Sequence, residues 1–194
     1  MQAFDLIIRN GKAVLPGQGE HAVDIAIRDG RIAALLSQGT SADAAQTCDA
    51  TGLTIIPGAI DVHLHLGHGK DISRPRVPKD AARETAAAVS GGVTAFIPYL
   101  MATEPFETIF DGVRSVTEAG SRIDFGYHFI ISTEEQLAGV PRYATDYGAP
   151  TFKIFMNNRG GEGTRLGLPD IDDGFLLRLC ESAAASGGTP RRSS

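Results

Sequence analysis

The run Pro57-Gly-Ala-Ile-Asp-Val-His-Leu-His65 constrains this chain more than any other part of it. In an extended strand successive side chains alternate faces, so Asp61, His63 and His65 share one face and Ile60, Val62, Leu64 and Leu66 the other. Apolar residues along the second face predict a strand buried on both sides, as in a parallel sheet. Each polar group buried without a partner costs roughly several kcal/mol, so three of them on one face need partners. A divalent metal can serve, because neutral imidazole is a favoured ligand and a nearby carboxylate ligates the ion or fixes a tautomer. A His-x-His pair can equally be two hydrogen-bonded histidines. The Pro-Gly in front, Asp61 two places before His63 and the apolar alternation favour the metal.

The rest of the chain falls into two rhythms. Up to residue 57, short alternating runs are separated by Asn10-Gly11 and Asp29-Gly30, both strong hairpin signals, which predicts a small antiparallel β unit. From residue 58 to 194, strand and helix patterns alternate. Strands are expected at 59–66, 94–99, 123–131 and 151–156, and helices near 80–90, 105–119, 134–147 and 173–186. Ser90-Gly91-Gly92 closes the first helix, and Ser132-Thr133 caps the third ahead of Glu134 and Glu135. This is α/β organisation with a parallel sheet and right-handed crossovers. Four such units are half of a (β/α)8 barrel, which typically takes about 250 residues.

A second candidate site residue lies in Thr151-Phe-Lys153-Ile-Phe155-Met156. A lysine in the middle of an apolar strand is costly to bury charged, so it is expected to be neutral or chemically altered, unless it snorkels to a rim. Phe152 and Ile154 would face helices, leaving Lys153 on the sheet face that carries His63 and His65. His68, in Gly67-His-Gly69, is either a surface residue or a substrate contact. His128 reads as a core histidine with one hydrogen bond, and His21 as exposed. The glycine-rich stretch 157–169 follows the fourth strand, where a substrate loop would belong. Gly91-Gly92 and Gly160-Gly161 lack the spacing of a phosphate-binding motif.

The 194 residues carry 18 basic and 23 acidic side chains, and a net charge of -5 argues against nucleic acid or an anionic membrane as partner. No apolar run could span a bilayer and no secretory signal opens the chain, so a cytoplasmic location is expected. Cys48 and Cys180 fall in different units and are expected to stay reduced.

The motif PGAIDVHLH resembles the first barrel strand of the amidohydrolase superfamily. Its surroundings, including FKIFMNNRG, resemble the cyclic-amide branch: hydantoinases, dihydropyrimidinases, allantoinases and dihydroorotases. The likeness runs from about residue 4 to 188. It implies the amino-terminal half of a TIM-type barrel (58–194) preceded by the first part of a small β-sandwich domain (1–57). It further implies a centre of two divalent ions, expected to be zinc, with His63 and His65 on one of them. Lys153, carboxylated by carbon dioxide, would bridge both, and Asp61 would support the histidines. Metal-activated water would then open a small cyclic amide or ureide.

Two positions depart from the family pattern. Dihydroorotases and many allantoinases carry an arginine two residues after the second histidine, where this chain has Gly67; hydantoinases carry a tyrosine five residues after the lysine, where it has Asn158. Asn158 and His68 are the substrate-side candidates. The family's later histidines and aspartate have no counterpart here. A one-base frame shift would make residues 191–194 compatible with a fifth strand, so a frameshifted or cut fragment is expected, with little activity of its own. With strand edges open, it should self-associate. The alternative is a non-catalytic, dihydropyrimidinase-related assembly or interaction protein.

Overall fold

The computed structural model describes residues 4–187 and the backbone of 189–193. Its contacts divide the chain after Pro57 into two units, each with its own sheet.

The first unit holds β1 (Phe4–Arg9), β2 (Lys12–Leu15), β3 (Gly19–Arg28), β4 (Arg31–Ser37), β5 (Ala44–Asp49) and β6 (Thr54–Ile55). The Asp29-Gly30 hairpin forms as expected. Both residues take positive φ, 52° and 69°, and Arg28 pairs with Arg31 across a two-residue turn. Asn10-Gly11 does not make a hairpin. β1 and β2 pair in succession with the same long strand β3, Ile8 opposite Ile25 and Lys12 opposite Ala22. The buried Asp24 of β3 explains the step: its carboxylate accepts from the Asn10 N–H at 2.9 Å and from Arg9 Nη1 at 3.1 Å. The chain therefore moves sideways along β3 instead of folding back. The unit is also mixed rather than antiparallel, since β5 runs parallel to β1 and β6 parallel to β2.

The second unit follows the strand-helix rhythm. β7 (Ala59–Leu64) leads to α1 (Pro78–Ser90), and β8 (Val93–Leu100) to α2 (Phe110–Gly120). The third strand comes in two pieces, β9 (Asp124–Phe125) and β10 (His128–Ile130), before α3 (Glu134–Thr145). β11 (Thr151–Phe155) precedes α4 (Asp173–Ala185), and β12 (Thr189–Ser193) follows it. The strands are parallel, in the order β12-β11-β10-β8-β7 with β9 also on β8.

Helix starts follow local chemistry. Thr133 Oγ1 accepts from Gln136 N, while Gln136 Oε1 accepts from Ser132 N, so one buried glutamine and its cap close the start of α3. Asp172 caps α4 through Phe175 N at 2.7 Å. On the helix side of the sheet, Leu100, Phe129, Phe152 and Ile154 pack with Phe106, Val140, Tyr143 and Leu179 in one core. On the other side, Tyr99, Met101, Ile130 and Leu168 form a smaller cluster.

Two expectations are corrected here. β11 is not an edge, because the backbone of 189–193 pairs with it along its whole length. Backbone hydrogen bonding asks nothing of side-chain polarity, which is why the polar composition of that segment misled. β7 is not buried on two faces: Ile60 is 61% and Val62 40% exposed, and β7 has a strand neighbour on one side only. Among the described residues no helix is long and apolar enough to cross a membrane.

Candidate functional site

His63, His65 and Lys153 converge on one aromatic ring, that of Tyr99. The His63 and His65 centroids lie 4.9 Å and 5.7 Å from it, and Lys153 Nζ sits 4.1 Å over its face. The sheet register brings this about. Tyr99 is paired with His128, and Ile130 with Lys153, so residues of neighbouring strands fall side by side on one face. Alternation along β11 sends Phe152 and Ile154 into the helix-side core and leaves Lys153 opposite.

Lys153 is 3% exposed, among Tyr99, Phe155 and the apolar cluster around Ile130. Burial holds its amine below the usual lysine range. His65 is half-buried. Desolvation lowers its pKa first and Lys153 second, against an opposing main-chain contact from Ile72, with His63 adding a smaller push downward. Its Nδ1 is buried without a hydrogen-bond partner. His63 is exposed, where β7 slips out of register with β8 between Asp61 and Leu64. Asp61 does not reach an imidazole through any described hydrogen bond; its carboxylate accepts from the His63 N–H at 3.0 Å and fixes the strand where the ladder lapses.

Apart from His128, which stacks on Tyr99, the other candidates stand outside this group. His68 Nδ1 lies 3.1 Å from both carboxylate oxygens of Asp80, whose Oδ2 also accepts from Arg76 N and Val77 N at the start of α1. Asn158 is buried and used by its backbone, donating to Phe155 O and accepting from Ile171 N. At Gly67 there is no room for a side chain: a Cβ would lie 2.1 Å from Asp71 O, because His68 and Asp71 exchange backbone hydrogen bonds across the turn. An arginine at this position is thus sterically barred as well as absent. His128 is buried, stacks on Tyr99 at 4.8 Å and meets Thr151 Oγ1 through Nδ1, as a core histidine should.

The donor chemistry suits a metal ion: two imidazoles on one side, one with an orphaned buried nitrogen, next to a lysine that burial drives toward neutrality. The spacing is open, however. The two imidazole centroids are 6.5 Å apart, against about 5 Å for two rings bound at about 2.1 Å to one tetrahedral ion. Among the described residues no group of three His, Cys, Asp or Glu side chains is gathered for an ion.

Sequence reasoning missed Tyr99. An aromatic in an apolar strand looks like core, and only its register with His128 reveals it as the hub. A cleft of about 290 Å³ lies beyond the ends of β7 and β8, lined among others by Asp71, Arg74, Arg76 and Glu104. Buried Gln136 supports it by donating to Ala102 O and Glu104 O. A larger cleft, about 550 Å³ and bordered by Phe110, Tyr127 and Tyr147, contains none of the candidate residues.

No family model matches the chain. It is 34% identical over 195 residues to a D-hydantoinase of Rhizobium radiobacter, covering 95% of this chain and 38% of that protein. An allantoinase of Escherichia coli O1:K1 / APEC is 30% identical over 187 residues, covering 88% and 36%. Among solved structures, a D-hydantoinase superposes with a TM-score of 0.80 at 28% identity, over 98% of this chain and 40% of that one. An L-hydantoinase (dihydropyrimidinase) from Arthrobacter aurescens gives 0.80 at 25%, over 98% and 41%. The chain spans about two fifths of the length of these relatives.

Proposed function

Taking as premise that the chain is a relative of the cyclic amidohydrolases of the hydantoinase and allantoinase branch, we propose that it carries part of a metal-dependent site that opens cyclic amide or ureide rings. The observation that supports this most is the convergence of His63, His65 and Lys153 on one sheet face. Such an ion, zinc in this proposal, supplies a Lewis acid that polarises the ring carbonyl and acidifies a water. His63 and His65 would hold it, with Asp61 fixing the backbone that leads into His63. Burial lowers the pKa of Lys153 and so favours its neutral amine, the form that would add carbon dioxide to become an anionic ligand.

The parallel sheet is inferred to be part of a closed (β/α)8 barrel, whose remaining ligands would lie outside these 194 residues. That inference fits the one-sided pairing of β7 and its exposed Ile60 and Val62. Such an edge should also make the chain self-associate, to be read by light scattering at micromolar concentration; a stable monomer would contradict it.

Zinc titration and a ring-opening assay on hydantoin and dihydrouracil test the function. The expected outcome is weak zinc binding that disappears in His63→Ala and His65→Ala, with little or no turnover by the chain alone. Robust ring opening that is lost in Lys153→Ala would show that these residues suffice by themselves.

A further inference from the structure

We propose that the cleft beyond the ends of β7 and β8 is a subsite for an uncharged carbamoyl group, the end of an amide or urea, carried by the ring substrate, and that it disfavours a carboxylate of the same shape. The choice of group follows from the cleft's own side chains; that the group belongs to a ring substrate rests on the function proposed above.

Four charged side chains line this cleft of about 290 Å³, and they cancel in pairs. Arg74 Nη2 donates to Glu104 Oε1 at 3.0 Å, and Arg76 Nη2 to Asp71 Oδ2 at 3.1 Å. The other oxygen of each carboxylate accepts from the main chain, Asp71 Oδ1 from Ser73 N and Glu104 Oε2 from Thr103 N. Hydrogen bonds from Ser73 first, with Arg76 adding less, hold Asp71 below the usual carboxylate range, and Arg74 does the same for Glu104, so both are ionised at neutral pH. The pairing leaves donor capacity over. The Arg74 side chain is only 11% exposed, and its Nη1 is buried without a hydrogen-bond partner. An unmet buried donor is costly, so an acceptor brought beside this guanidinium is favoured.

A carbamoyl group offers what the lining can use: a carbonyl oxygen for the guanidinium, and N–H groups for carboxylate oxygens that each have a lone pair to spare. A carboxylate offers acceptors alone and adds an uncompensated negative charge beside Asp71 and Glu104. The turn at Gly67 cannot supply a further cation, since a Cβ there would lie 2.1 Å from Asp71 O. The position suits a substituent. Met101 and Leu168 line the cleft and also pack in the cluster with Tyr99 and Ile130, Met101 N donates to Ser73 O at 3.0 Å, and the neighbouring Ile72 touches His65 through its main chain. The cleft thus shares a wall with the group gathered around Tyr99.

Acetamide and acetate have one shape and differ in charge and in donors. The experiment titrates each, at equal ionic strength, into the isotope-labelled full 194-residue chain and follows the Arg74 Nε–H and the Ser73 and Thr103 amides by NMR. Acetamide should shift all three signals along one saturable curve, and acetate should bind at least about tenfold more weakly, as one uncompensated like charge near a protein surface requires. Arg74→Met keeps the length of the side chain and should lose the acetamide response. Glu104→Gln changes a half-exposed side chain that tolerates replacement, leaves the cleft with one net positive charge, and should turn the preference toward acetate.

Acetate bound by wild type as well as acetamide, an acetamide response that survives Arg74→Met, or no response to either probe would overturn the subsite and leave the metal site standing. An acetamide response in a chain that fails the zinc titration would support the cleft and overturn the metal-site reading.

Discussion

The two strands that carry the candidate ligands are held in opposite ways. β11 lies between two strand neighbours, with Phe152 and Ile154 in the main core, so Lys153 projects from a packed backbone. β7 has one neighbour and an irregular ladder, and it shows solvent two apolar side chains as well as His63. The lysine is therefore preset by the core, while the histidines sit on a margin that can adjust.

The largest effect should come from the packed side. Phe129 is fully buried, stacked on Phe106 at 4.4 Å and edge-on to Phe110 and Tyr143. Phe129→Ala is expected to cost about 3–5 kcal/mol in chemical denaturation, whereas Val62→Ala on β7 should cost about 1 kcal/mol or less. Equal losses would erase the contrast.

Hydrogen exchange sharpens it residue by residue. Amides of Ile130, Lys153 and Ile154 should exchange about 10- to 100-fold more slowly than those of Val62 and Leu64. Comparable protection would mean that the margin is as firmly held as the core.

A smaller effect concerns Asp80, which anchors the loop after β7. Burial pushes its pKa up, but the Arg76 and Val77 N–H groups and His68 outweigh it, so the pKa lies below the usual 3.8. A carboxyl with a depressed folded pKa contributes stability that is complete above the unfolded value and lost as pH falls through the folded one. Asp80→Ala should cost about 1 kcal/mol at neutral pH, as loss of a helix cap does, and the gap from wild type should close below pH 3.8. A gap independent of pH would assign the loss to something other than the ionised carboxylate.

Much of this architecture is written in short-range signals. The alternation in 151–156 separates Lys153 from Phe152 and Ile154, the Thr133 and Asp172 caps start α3 and α4, and Asp29-Gly30 makes its hairpin; each depends only on neighbours in sequence, where side-chain period and backbone preference act directly.

What the sequence could not decide was which strands meet and what covers them. Asn10-Gly11 has hairpin chemistry, yet Asp24, fourteen residues from Asn10, captures its N–H and lays β1 and β2 along one partner. The apolar face of β7 promises burial, which only a layer packed against that face could provide. Gly67 leaves out an arginine, but only the fold shows the Asp71 carbonyl standing where its side chain would begin. Tyr99 reads as core until the register sets it among two histidines and a lysine. In each case the deciding contact joins residues brought together by long-range pairing or tight chain reversal, and a pattern of neighbours carries no record of such contacts.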